Sequence, residues 1–207
     1  MVTDENNMKP MPKGLFVGSD YDGFIEAYKE ASALSSNLHI KYIENPINVA
    51  VQEIPQYYDE IWTAAKGSYK LQRPGVISKD GEIIIFAPHV KCFHSNSTMN
   101  KYIMDIGYHC KEYVHKFLES SPSFCRNVAA HVINFRGQGH FNKITGSEEF
   151  AFKLTLSTGI PKDICRAVGL NYKDPSLISK KDYCDFNRIW IQDGGKHLFD
   201  LKINGDD

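Results

Sequence analysis

The stretch from Ile47 to Ala87 constrains this chain more than any other. It opens with INVAVQ, an extended-looking apolar run, continues through a segment with helical spacing, and closes with EIIIFAP behind a KDG turn. A strand, a helix and a second strand in so short a span make a βαβ unit, and such crossovers are almost always right-handed in a parallel sheet. The fold class that follows is α/β, a mixed, partly parallel sheet built around βαβ units with helices on its faces. With 207 residues, 42% hydrophobic and 12% aromatic, the chain has ample material for the core of such a sheet.

The flanking sequence extends this pattern. GLFVG from Gly14 reads as a short buried strand, and Ser19 as the cap of an amphipathic helix carrying Phe24, Ala27, Tyr28, Ala31 and Leu34. LHIKYIE and INVAVQ are two extended runs turned by Asn45 and Pro46. HSNSTMNK caps a helix carrying Ile103, Ile106, Cys110, Val114 and Phe117. AAHVINF and FKLTLSTGI read as strands, RGQGHFNKITG as a glycine-rich loop, PKDICRAVGL as a short helix, and RIWIQ with HLFDLKI as a terminal hairpin across a DGG turn. Residues 1–13 read as a flexible lead-in or linker remnant, and 14–207 as a single α/β domain without repeats or low-complexity tracts.

Charge and cysteine usage narrow the function classes. Basic and acidic residues number 24 and 25, so no excess of either sign points to nucleic acid, a membrane surface or an acidic partner. The five cysteines are odd in number, scattered and free of CxxC spacing, which suits buried thiols in a reducing cytoplasm better than a disulfide framework. No apolar run approaches the roughly 20 residues of a membrane span, and the opening segment is too polar for a signal peptide. The expected location is the cytoplasm.

Within the βαβ unit, Tyr58, Ile61, Trp62, Ala65 and Tyr69 form an apolar helical stripe, while Asp59, Thr63, Lys66 and Lys70 share a second face. Lys66 stands among the small residues Ala64, Ala65 and Gly67. The bland reading is a solvated helix edge, where each charge pair contributes only about 0.3 to 0.5 kcal/mol. The sharper reading is a collar that lets a ligand approach the ammonium, which suits a carboxylate.

Other constellations are weaker. His89, Cys92 and His94 fall within HVKCFH, but the spacing matches no strong zinc signature, so no metal site is expected. His109, in GYHC on a helix, and His131, in AAHV on a strand, read either as satisfied core histidines or, with His89, as groups lining a cleft. FRGQG is a turn rather than a phosphate cradle, since no GK or GxxG helix start follows. No cysteine or serine has a base at a suggestive position for nucleophilic catalysis.

IPQYYDEIWTAAKGSYKLQRPGVISKDGEIIIFAPHV, IGYHCKEY, AAHVINFRGQG and STGIPKDICRAVGLNYKDP, in that order, resemble the C-terminal domain of the nickel-pincer, lactate-racemase-like family, in its branch of hydroxy-acid and sugar-acid racemases and epimerases. The resemblance runs from about Gly14 to about Pro175 and implies an isomerase domain. In that family a nickel ion on a pincer nucleotide takes a hydride from the carbinol carbon while a histidine base takes the hydroxyl proton. The pincer, its lysine, the nickel-ligating histidine and the paired bases belong to an N-terminal domain. The resemblance places that half outside these 207 residues, so no cofactor is expected in them and activity is not expected from them alone.

The C-terminal share, as the resemblance implies it, is a helical segment with glutamine, two residues, then lysine and glycine that closes over the substrate. Lys66 and Gly67 match the lysine and glycine, which makes Lys66 the catalytic candidate and Thr63, Lys66 and Gly67 the substrate-binding set. Thr63 occupies the glutamine position and cannot offer an amide's donor and acceptor together, which points to a substrate other than lactate. The expected partners are the N-terminal cofactor-binding domain, in the same or a separate chain, and a small hydroxy acid. The competing reading is a stand-alone α/β module that binds a small carboxylate or nucleotide, or docks on a separate catalytic subunit; a purely structural domain is the third.

Overall fold

The computed structural model describes residues 1–6 and 9–202. The chain forms two compact units, Met1–Tyr42 and the part from Ile43 onward. In the first, β1 (Val2–Asn6) and β2 (Lys9–Gly14) pair antiparallel, so a hairpin stands where the polar composition suggested a flexible lead-in. GLFVG is not a buried strand: the ladder ends at Gly14, and Leu15 and Val17 lie exposed. Helix α1 (Tyr21–His39) starts one residue later than expected, because the Asp20 carboxylate rather than Ser19 accepts the Gly23 N–H, at 2.8 Å. The His39 ring reaches the Thr3 carbonyl at 2.9 Å and ties the end of α1 to the hairpin.

Strand β3 (Ile40–Ile43) lies at the boundary. Then follow β4 (Ile47–Glu53), the one-turn helices α2 (Ile61–Ala64) and α3 (Lys66–Tyr69), β5 (Ile77–Ala87), α4 (Ser97–Ile106), α5 (Lys111–Ser120) and α6 (Arg126–Arg136). The chain continues through β6 (Gly139–Asn142), β7 (Ser147–Phe150), β8 (Lys153–Thr158), α7 (Lys162–Ala167), β9 (Asn171–Tyr172), β10 (Arg188–Ile191) and β11 (Leu198–Leu201).

The α/β class is borne out. The main sheet has five strands in the order β10-β4-β5-β8-β9, and every neighbouring pair is parallel. The antiparallel ladders among the described residues, such as β6–β7, are short. Strand side chains alternate between two cores, as the period of two requires. Ala50, Ile83, Ile85, Leu154 and Leu156 join the large core with Val114, Val132 and Phe135 of the helices. Val51 and Ile84 point to the other face, under Tyr183, Ile178 and Trp190. That face is covered by the irregular segment after β9, not by α-helices.

Four local expectations are corrected. AAHVINF is helical, within α6, because Val128, Ala129, Val132 and Phe135 recur with the helical period and are all buried. The helix expected from Ile103 to Phe117 is two: Gly107, at φ +73°, ends α4 in a conformation that only glycine adopts freely. The KDG turn lies inside β5 as a bulge, since two steps on β4 (Ile47 to Val49) face five on β5 (Ile77 to Glu82). The terminal hairpin does not form, because β10 joins the parallel sheet beside β4 instead. Among the described residues no helix is long and apolar enough to cross a membrane.

Phe135 is fully buried and borders Tyr108 edge-on at 5.2 Å between ring centroids. Phe135→Ala is expected to lower unfolding free energy by about 3 to 5 kcal/mol in urea titrations; a loss under about 1 kcal/mol would contradict the helical packing of α6.

Candidate functional site

From β4 the chain moves stepwise to β5, β8 and β9, then returns to the opposite edge as β10. The order therefore reverses between β4 and β10, and in open parallel sheets such a reversal leaves a crevice beyond the carboxyl ends of the strands, the habitual ligand position of α/β folds. A cleft of about 330 Å³ lies there, lined by Glu53 at the end of β4, by Ile54, Pro55 and Gln56 after it, and by Gln192 and Asp193 after β10. A wider groove of about 630 Å³ involves α5 and the β6–β7 turn and touches none of these strand ends.

Asp193, Gly194 and Gly195 form the turn at the cleft. Its amides grip the end of β4: Gly194 N–H donates to the Glu53 carbonyl at 2.7 Å and Gly195 N–H to Gln52 Oε1 at 3.2 Å. Trp190 Nε1 donates to Glu53 Oε2 at 2.7 Å and fixes that carboxylate. Gly195 adopts φ +86°, and a Cβ there would come within 2.7 Å of Lys66 Cβ. The backbone after β10 thus lies directly against Lys66.

The Lys66 segment differs from the continuous helix its spacing predicted. Glu60 is extended, the helix starts only at Ile61, and Ser68 N–H bonds to the Ala65 carbonyl, three residues back, where α2 passes into α3. Ile61 and Trp62 donate instead to the Cys92 and Phe93 carbonyls, so tertiary bonds replace the missing first turn. Asp59 therefore lies outside the helix. Ala64, Ala65 and Gly67 are buried, and a Cβ on Gly67 would meet Ile85, Ile54 and Gln52 at 3.0 to 3.2 Å. The small residues let the segment settle onto the sheet, and they do not clear space for a ligand.

Lys66 itself faces solvent, its Nζ 5.0 Å from the Tyr58 ring centroid and 3.5 Å from the phenol oxygen. Thr63 is half-buried, its hydroxyl donating to the Glu60 carbonyl at 3.1 Å. His89 Nε2 donates to the Tyr58 carbonyl at 3.0 Å, so this histidine holds the turn that presents Tyr58 to Lys66. His89 and His94 turn to separate partners, since His94 Nδ1 lies 3.3 Å from Glu60 Oε2.

His109 belongs elsewhere. It sits between α4 and α5, stacks on Tyr113 at 3.8 Å and bonds Glu148 of β7 at 2.6 Å. Burial raises the Glu148 pKa, but hydrogen bonds from His109 and the Cys110 N–H overcome that and leave it below the usual carboxylate value.

His131 is buried on α6 between two phenols, Tyr69 at 3.2 Å from Nδ1 and Tyr108 at 3.1 Å from Nε2. Burial first, and His94 second, lower its pKa to about 4. Burial pushes Tyr69 up to about 12 and Tyr108 well above its ordinary value. The imidazole is therefore neutral, so one ring nitrogen donates to a phenol oxygen and the other accepts a phenol O–H. Trp62 stacks on His131 at 4.4 Å and contacts His94 at 4.9 Å, lying between the two imidazoles. Sequence reasoning missed Tyr58, Glu60, Trp62, Tyr69 and Tyr108 as members of this neighbourhood. Helical spacing in AAHVINF was the one signal that would have turned His131 towards them.

A protein from Thermotoga maritima, whose crystal structure was determined by the Northeast Structural Genomics Consortium, is 56% identical to this chain with a TM-score of 0.89; the match covers 98% of this chain and 48% of that one. The lactate racemase apoprotein from Thermoanaerobacterium thermosaccharolyticum is 12% identical with a TM-score of 0.54, over 86% of this chain and 40% of the other. This second likeness establishes a shared, lactate-racemase-like fold. The chain spans about half the length of the first protein and less of the second. No family model and no curated protein matches it.

Unfolding frees His131 to bind a proton at its ordinary pKa of 6.5, while the folded state resists down to about 4. Stability from this group is complete above pH 6.5 and is lost as pH falls towards 4, by about 3 kcal/mol in all. Urea midpoints between those limits should fall more steeply in the native protein than in His131→Phe; equal slopes would refute the neutral, phenol-bound imidazole.

Proposed function

We propose that this chain is the substrate-closing part of a 2-hydroxy-acid racemase or epimerase, working with a second half that carries the nickel-pincer nucleotide. The observation that carries the reading is an accessible ammonium, Lys66, seated beside the strand-order reversal of a lactate-racemase-like fold. The four-carbon stem lies against Gly195, while Tyr58 steadies the charged end through its ring and hydroxyl. A substrate carboxylate would draw Nζ from the phenol into a charge-assisted hydrogen bond.

Gly67 serves this role indirectly, by bringing the segment close to β4 and β5. The Thr63 hydroxyl is committed to its own backbone, consistent with a substrate contact unlike that of a glutamine. Polar groups of Gln56, Gln192 and Asp193 line the adjacent cleft and suit a substrate with hydroxyls beyond the first carbinol. The nickel-pincer group does not fit this chain's own residues: His131 engages both nitrogens, and His89 and His94 are each tied to protein groups. The group would supply hydride acceptance from the other half.

The test is a full-length hybrid in which these 207 residues replace the matching half of the Thermotoga protein, loaded with cofactor and assayed against a panel of hydroxy and sugar acids by NMR. Epimerisation is expected, with Lys66→Ala lowering kcat/KM about a hundredfold or more. Carboxylate binding at Lys66 without turnover by the loaded hybrid would favour the stand-alone carboxylate-binding module.

A further inference from the structure

The first compact unit has little core of its own among its described residues. Among its described residues Val2 is buried, at 8% exposure, while α1, 19 residues long, buries none. A two-stranded hairpin with one helix is marginal in water without an apolar face to share. Yet α1 itself carries such a face. Tyr21, Phe24 and Tyr28 are spaced three and four residues apart, which aligns them along one side of α1, and they are 77%, 59% and 64% exposed. The Phe24 and Tyr28 rings stack at 6.5 Å between centroids. Leu15 and Val17, 73% and 80% exposed, add apolar surface just before the helix. Apolar patches of this kind mark interaction sites in soluble proteins.

The comparison with the Thermotoga protein supplies the occupant. That protein matches 98% of this chain, this unit included, but the match takes up only 48% of it, so as much polypeptide again accompanies the same fold. We propose that the Tyr21–Phe24–Tyr28 face of α1 is the docking surface for that other half. This rests on the reading above that the chain works with a second half, and it names the surface by which the two join. Aromatic rings suit the role, because they bring large contact area at small entropic cost and anchor interfaces out of proportion to their number.

Carbene footprinting of the 207-residue chain and of the full-length hybrid tests the proposal. Labelling of Tyr21, Phe24 and Tyr28 should be at least about fivefold lower in the hybrid, as expected for rings taken out of solvent. Equal labelling overturns it. Protection already present in the shorter chain overturns it too, in favour of the chain's own second unit if independent of concentration, or of a second copy if it grows with concentration. The double variant Phe24→Ser/Tyr28→Ser should lower the melting temperature of the hybrid by several degrees and leave that of the shorter chain nearly unchanged; the same shift in both overturns the proposal. Should the hybrid fail to unfold cooperatively, the full-length Thermotoga protein is footprinted at the aligned positions, and free labelling there is equally decisive. Epimerisation is scored separately: protection without turnover leaves the docking surface standing while the racemase reading falls, and turnover without protection does the reverse.

Discussion

Parallel strands must be covered on both faces, and that requirement organises the whole second unit. Val51 and Ile84 lie on one side of the sheet and Ala50, Ile83 and Ile85 on the other, and all five are sealed from solvent. The helices gather on one face, so the opposite one needs another cover. It is supplied by the chain after β9, where Ile178, Tyr183 and Trp190 close over Val51 and Ile84. The same passage carries the chain across to the far edge of the sheet, and this return creates the reversal beside which Lys66 stands. Covering the second face and forming the cleft are thus one structural event.

The parts legible in the sequence were those where local pattern and tertiary demand agree. INVAVQ and EIIIFAP announce parallel neighbours, and Asn96 does cap α4, accepting the Thr98 and Met99 N–H groups. The misreadings have a common origin in local signals overridden or misjudged at short range. AAHVINF is rich in residues that favour strands, but its buried positions follow the helical period. The continuous helix through Lys66 failed because Ile61 and Trp62 find their carbonyl partners in Cys92 and Phe93, a contact that spacing cannot reveal. Lys66 was visible through its small neighbours, although their purpose is packing on the sheet. Tyr58 was not visible as its partner, since a turn rather than helical spacing brings the two together.

The surroundings of the site divide into a rigid, neutral part and a charged, accessible one. His131 is locked between phenols that burial keeps protonated, and Trp62 rests on its ring. Groups so held keep their geometry when the charge around them changes. Lys66, by contrast, stands in solvent, its ammonium against the ring and hydroxyl of Tyr58.

The contact between Gly195 and Lys66 joins positions 129 residues apart. It has a bearing on how the molecule is made. During synthesis the sheet can assemble from β4 to β9 while one edge of β4 is still unpaired and the glycine turn is not yet against Lys66. Only when β10 and its glycine turn emerge does β4 gain its second neighbour and the lysine the backbone against its stem, so the surroundings of Lys66 are completed last, together with the pairing of that edge of β4. A nascent or truncated chain would therefore lack the glycine turn behind Lys66 for as long as the β4 edge stays open to aggregation, and the two states would end together.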